Sequence, residues 1–107
     1  MISTHILDTH LGIPASGVTV SLQRKKNSDW EDIDSGVTDN DGRIVYNCPN
    51  EKGIYKLSFS IEDYYQKNQQ DFFFVDVPVI FNVTNTDRKY HVPLLLNPFG
   101  YTTYRGS

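Results

Sequence analysis

Residues 89–107 read KYHVPLLLNPFGYTTYRGS. Two apolar, β-prone runs flank Asn97-Pro98-Phe99-Gly100, whose proline and glycine are turn residues, so the stretch predicts a β-hairpin that closes the domain. Side chains alternate along a strand, which puts Tyr90, Val92, Leu94 and Leu96 on one face and His91, Pro93 and Leu95 on the other. The first set has the character of a core face. The second sets an imidazole between a proline and a leucine, where a small monomer should be wet and polar; that face is expected to be covered as well. Chain ends usually fray, yet the strand-like pattern runs on to Tyr104-Arg105-Gly106-Ser107, which predicts an end that is held.

The same alternation recurs upstream. Residues 2–8 form a strand with Ser3, His5 and Leu7 on one side and Thr4, Ile6 and Asp8 on the other. Gly12 to Gly17 reads as a loop. Val18 to Arg24 is a half-buried strand with Val18, Val20 and Leu22 inward. Weaker strands follow at Trp30–Val37 and Arg43–Tyr46, separated by the turn Thr38-Asp39-Asn40-Asp41-Gly42. A further turn at Asn50–Gly53 precedes the strand Ile54–Ile61. Glu62 to Gln70 loses the two-residue period and reads as a short helix. Pro78 interrupts the apolar run Val75–Val83 and assigns it to a sheet edge or a bulge, because proline has no N–H for a central ladder. Short strands at regular spacing with one small helix predict a β-sandwich, and the pattern alone also allows an immunoglobulin-like module.

With 107 residues the chain has room for one domain, 1–107, and a modest core. A net charge of −3 and a pI near 5.4 argue against a nucleic-acid partner, which would want a basic face. The clusters Arg24-Lys25-Lys26 and Arg88-Lys89 are most simply solvated turns. The single cysteine, Cys48, can form no internal disulfide and has no base beside it in sequence, so a structural role is expected. The N-terminal residues show no secretory pattern and no run approaches membrane-spanning length; a cytoplasmic protein without membrane contact is expected.

Three histidines are present, His5, His10 and His91. His5 shares its strand face with Leu7, as His91 does with Leu95. Taken alone, both are most simply histidines with satisfied hydrogen bonds at a packed surface. A catalytic zinc site would need three protein ligands, and no cysteine or carboxylate stands at ligand spacing, so no metal is expected. Arg43, after Asp41-Gly42, would by itself be an ordinary surface arginine.

The terminal run YHVPLLLNPFGYTTYRGS, together with STHILDT at 3–9 and GVTDNDGR at 36–43, resembles the 5-hydroxyisourate hydrolases, the enzymatic branch of the transthyretin family. The resemblance spans essentially the whole chain, with the three motifs in order. It implies a transthyretin-like (prealbumin-like) β-sandwich of two antiparallel sheets with one short helix, assembled as a homotetramer, a dimer of dimers. It also implies hydrolysis of 5-hydroxyisourate without a cofactor, in a channel where the dimers meet. Matching position by position, it assigns His5, Arg43, His91 and Ser107 to the catalytic site. Tyr104, Arg105, Gly106, Leu7, Pro93, Leu95 and Thr102 line the substrate in that reading. Lys89 stands where many such hydrolases carry histidine, and Asn97 where they carry serine. A carrier of small aromatic anions, like transthyretin itself, is the alternative; it has no need of two strand histidines, Arg43 and a Tyr-Arg-Gly-Ser end together.

Overall fold

The computed structural model describes residues 1–48 and 51–107. In chain order the elements are β1 (Ile2–Asp8), β2 (Ile13–Pro14), β3 (Thr19–Lys26), β4 (Asp29–Val37), β5 (Arg43–Tyr46), β6 (Gly53–Ser60), α1 (Ile61–Lys67), β7 (Val77–Val83), β8 (Tyr90–Asn97) and β9 (Gly100–Thr103). The turn expected from Asn50 begins outside the described residues. Two sheets form. One runs β2-β1-β8-β9 with β5 also on β1, and the other runs β4-β3-β6-β7.

The closing hairpin follows the alternation. Tyr90, Val92, Leu94 and Leu96 are all buried and join Ile2 and Ile6 in the core, with Val20, Leu22, Leu57 and Phe59 also fully enclosed. Each such side chain contributes roughly 1.5–3 kcal/mol by leaving water. Across the turn, Phe99 N–H donates to Asn97 Oδ1 at 2.9 Å, so the asparagine side chain fixes the bend. Pro78 sits on β7, an edge strand of its sheet, where the missing N–H leaves no central ladder broken.

The helix explains why the two-residue period fails after Ser60. Ile61, Tyr64 and Tyr65 are its buried residues, at the three- and four-residue spacing of one helix face. Glu62 and Asp63 in the first turn and Lys67 in the last complement its dipole. It is tethered to β1: Asp8, only 2% exposed, accepts the Tyr64 hydroxyl at 2.7 Å on Oδ2. Asp8 Oδ1 accepts the N–H groups of His10 and Leu11, each at 3.0 Å. No helix among the described residues is long and apolar enough to cross a membrane.

One expectation is corrected. The sheets are not antiparallel throughout, because β1 and β8 run parallel over seven paired positions, Ile2↔Tyr90 to Asp8↔Leu96. Alternation within a strand carries no information on direction. A hairpin would have forced these two to be antiparallel, but they are joined by nearly the whole chain, which leaves either direction open. A smaller departure lies in the Gly12–Gly17 loop, where Ile13 and Pro14 pair with Asp8 and Leu7. Thus β2 and β5 share one edge of β1, and β8 occupies the other.

Candidate active site

Residues opposite one another in a ladder project from the same face, so the register lays out the outer surface of the mixed sheet as rows. The first row is Val45, Ser3, His91 and Gly106. The second holds Arg43, His5 and Pro93. The third holds Pro14, Leu7, Leu95 and Thr102. His5, Arg43 and His91, drawn from three separate stretches of sequence, therefore meet on one patch with Pro93 and Gly106. Leu7, Leu95 and Thr102 continue that patch along the strands.

Arg43 is delivered by the turn before it. Asp39 Oδ1 accepts the N–H groups of Asp41 at 2.9 Å and Arg43 at 3.0 Å. The Arg43 N–H in particular, aided by that of Asp41 and by the Arg43 charge, holds the Asp39 carboxyl below the usual carboxylate range. Gly42 has a φ of +72°, and a Cβ there would come within 2.5 Å of the Ile6 carbonyl oxygen. Only glycine lets this turn lie on β1. The Ile6 N–H then donates to Gly42 O at 2.8 Å, which sets Arg43 across from His5.

His91 is held on both sides by its own cross-strand neighbours. Ser3 Oγ lies 2.9 Å from Nδ1. On the other side Gly106 N–H donates to the His91 carbonyl at 2.8 Å, and a Cβ at 106 would come within 2.6 Å of the imidazole Cδ2. Ser3 thus engages Nδ1 and the backbone of Gly106 lies against Cδ2. Burial of the ring, reinforced by the charges of His5 and Arg43, pushes the His91 pKa below its ordinary value.

The register of β8 and β9, Leu94 opposite Thr103, carries on unchanged to His91 opposite Gly106. Between them Pro93 has no N–H to offer, and its carbonyl accepts the Thr103 hydroxyl at 2.8 Å. The ladder breaks there. Tyr104 and Arg105 instead line a cleft of about 430 Å³ whose walls include Phe81, Arg88, Tyr90 and Val92. Since Tyr90 and Val92 point to the opposite side of β8 from His91, this cleft opens toward the interior of the sandwich. Ser107 is exposed beyond Gly106, and Lys89 is exposed just before β8.

Among the described residues the one ion pair joins Arg24 to Glu51, so no carboxylate there clamps the Arg43 guanidinium directly, although its charge is felt by Asp39. No group of three His, Cys, Asp or Glu side chains there could hold a metal ion. Cys48 is a free thiol packed part-buried against the core. Sequence reading missed two contributors: Ser3, which shares the face of His5 by simple alternation, and Asp39, whose position two residues before Asp41 is the signature of an Asx turn.

The profile of the HIUase/Transthyretin family matches residues 2–106. A 5-hydroxyisourate hydrolase of Salmonella typhimurium is 44% identical over 110 residues, covering 100% of this chain and 81% of the relative. Among solved structures, Klebsiella pneumoniae 5-hydroxyisourate hydrolase superposes with a TM-score of 0.87 at 35% identity, over 99% of this chain and 98% of that one. Sea bream transthyretin in complex with thyroxine gives a TM-score of 0.90 at 32% identity, over 98% and 93%. With its fold, its three motifs and its full length all in agreement, this chain belongs to the HIUase/Transthyretin family.

Proposed function

We propose that this protein hydrolyses 5-hydroxyisourate to 2-oxo-4-hydroxy-4-carboxy-5-ureidoimidazoline on the outer face of the mixed sheet. The observation that carries the reading is the convergence of His5, Arg43 and His91 at adjacent register positions. Opening a cyclic amide requires an activated water, a stabiliser for the developing oxyanion and a proton for the leaving nitrogen. An imidazole can take a proton on one nitrogen and give it back, which suits the transfers. The Arg43 guanidinium, in no ion pair among the described residues, suits a flat substrate rich in carbonyl oxygens, which its planar donor fork can grip. Ser107 positions water or substrate next to Gly106, which abuts the His91 ring, while Tyr104 and Arg105 line the separate cleft behind β8.

The working assembly in this reading is a cytoplasmic homotetramer, a dimer of dimers. Support comes from the apolar company of the histidines: Pro93 is buried, Leu7 and Leu95 are half-buried, and Val45 is 56% exposed in the same rows. Covering this face with a second copy removes apolar surface from water and encloses the imidazoles in a channel.

The likeness to a thyroxine-bound transthyretin favours a carrier as the second reading. Purified protein added to urate and urate oxidase separates the two. Decay of the 5-hydroxyisourate absorbance well above the spontaneous rate is expected. Binding of aromatic anions without faster decay would establish the carrier instead.

A further inference from the structure

Ser3 touches no substrate in the proposed reaction, yet its hydroxyl is 2.9 Å from Nδ1 of the His91 imidazole. Its cross-strand neighbours are Val45 on β5 and His91 on β8. Val45 offers no side-chain acceptor. Among the described residues Nδ1 is the only hydrogen-bond partner of Ser3 Oγ, and a serine that donates here requires the ring to accept at Nδ1. A neutral imidazole that accepts at Nδ1 carries its own proton on Nε2.

We infer that Ser3 is a positioning residue that holds His91 as the Nε2–H tautomer, making it a neutral hydrogen-bond donor to the developing oxyanion. This rests on the hydrolase reading above and divides the labour within it. A neutral imidazole that gave up Nε2–H would become an anion, so His91 keeps its proton throughout. The proton shuttle falls to His5. Water attacks the ring carbonyl carbon and forms a C–O bond while its proton passes to His5. The C–N bond then breaks, and the His5 imidazolium returns that proton to the leaving nitrogen. Nothing is oxidised or reduced, and His5 ends neutral as it began. A neutral histidine used as an electrophile has precedent in enzyme chemistry, and burial of the ring, with the charges of His5 and Arg43, favours the uncharged form here.

The test combines spectroscopy with kinetics. In ¹⁵N-labelled wild-type protein, long-range ¹H–¹⁵N correlations of His91 should show Nδ1 as the lone-pair nitrogen and Nε2 as the protonated one. Ser3→Ala should mix the two tautomers and lower kcat roughly tenfold, the worth of one hydrogen bond, with KM little changed. Ser3→Thr restores the hydroxyl and should recover both the spectrum and kcat. A protonated Nδ1 in the wild type overturns the inference, as does an unchanged kcat in Ser3→Ala. A fall in kcat with an unchanged spectrum also overturns it, since that marks a merely structural serine. Wild-type protein without turnover would sink the hydrolase reading by a separate route, and the spectrum alone would then decide the Ser3 contact.

Discussion

Tyr64 on the helix donates its hydroxyl proton to Asp8 at 2.7 Å, on the strand that carries His5. Both groups are buried, so the bond is shielded from water and competes with no solvent. Its neighbour Tyr65 is as deeply buried, but among the described residues its hydroxyl has no partner. The two tyrosines should therefore respond oppositely to loss of the hydroxyl. Tyr64→Phe is expected to cost about 1–3 kcal/mol, because a buried carboxylate oxygen is left unpaired. Tyr65→Phe should be neutral or slightly stabilising. Urea unfolding of both variants checks this; equal losses would contradict the assigned bond.

His5→Ala, Arg43→Ala and His91→Ala should each depress turnover while the assembly persists, since all three side chains sit on the outer face and leave the core untouched. A group engaged in proton transfer is typically worth about 10²–10⁴-fold in rate, and a single oxyanion donor about 10²–10³-fold. Steady-state rates and sedimentation of the three variants are the measurement. Near-wild-type rates in two of them would remove the patch from consideration.

Gly106→Ala tests the grip on His91 from the tail side. The added methyl would stand 2.6 Å from Cδ2 and 3.2 Å from Pro93 Cγ, so the imidazole must move. Misplacing a reacting group by about 1 Å can cost roughly 10²-fold. We expect a large loss of kcat with little change in the midpoint of unfolding, because the tail contributes nothing to the buried core. A wild-type rate would show that the ring has slack.

The pH dependence follows from the lowered pKa of His91. From about pH 6.5 downward the unfolded chain binds a proton at this histidine that the folded chain refuses. Acidification through that window therefore erodes stability, and the erosion from this group ends below the folded pKa. An NMR titration should place the His91 midpoint below the ordinary value. Arg43→Ala should raise it only part of the way, since burial is the larger cause and survives the substitution. A midpoint at or above the ordinary value in the wild type would contradict this environment.

Deleting residues 104–107 should abolish hydrolysis and leave the sandwich folded. Sizing and assay on the same sample distinguish the reasons. Inactive tetramers support direct participation of the tail, and inactive monomers would assign it to assembly. Active tetramers would show that Tyr104 to Ser107 are dispensable.

Alternation alone made most of this fold legible. It separated Tyr90, Val92, Leu94 and Leu96 from His91, Pro93 and Leu95, and Ser3, His5 and Leu7 from Thr4, Ile6 and Asp8. Pro78 announced an edge strand for the same reason that it occupies one. Two things stayed out of reach. The parallel pairing of β1 with β8 depends on how a long connection travels, which no local pattern encodes. The burial of Asp8 depends on Tyr64, a residue 56 positions away. The candidate site was legible as a set only through the three motifs shared with a family, since taken alone His5 and His91 read as packed-surface histidines and Arg43 as an ordinary surface arginine. The contact between Ser3 and His91 depends on that same parallel register and could be seen only once β1 and β8 were aligned.

That register also sets a timetable. The partners of Ser3 and His91 are 88 positions apart, so the patch has no precursor in any shorter piece of the chain. A polypeptide made from its first residue onward can pair β1 with β2 and β5 early. The other edge of β1 must wait until residues 90–97 exist. Through that interval an apolar strand with one free hydrogen-bonding edge is exposed to other nascent chains. When β8 arrives, the same event closes the edge, completes the core and brings the two imidazoles side by side. The free edge is therefore closed, and His91 joins His5 and Arg43 on one face, late and in a single step.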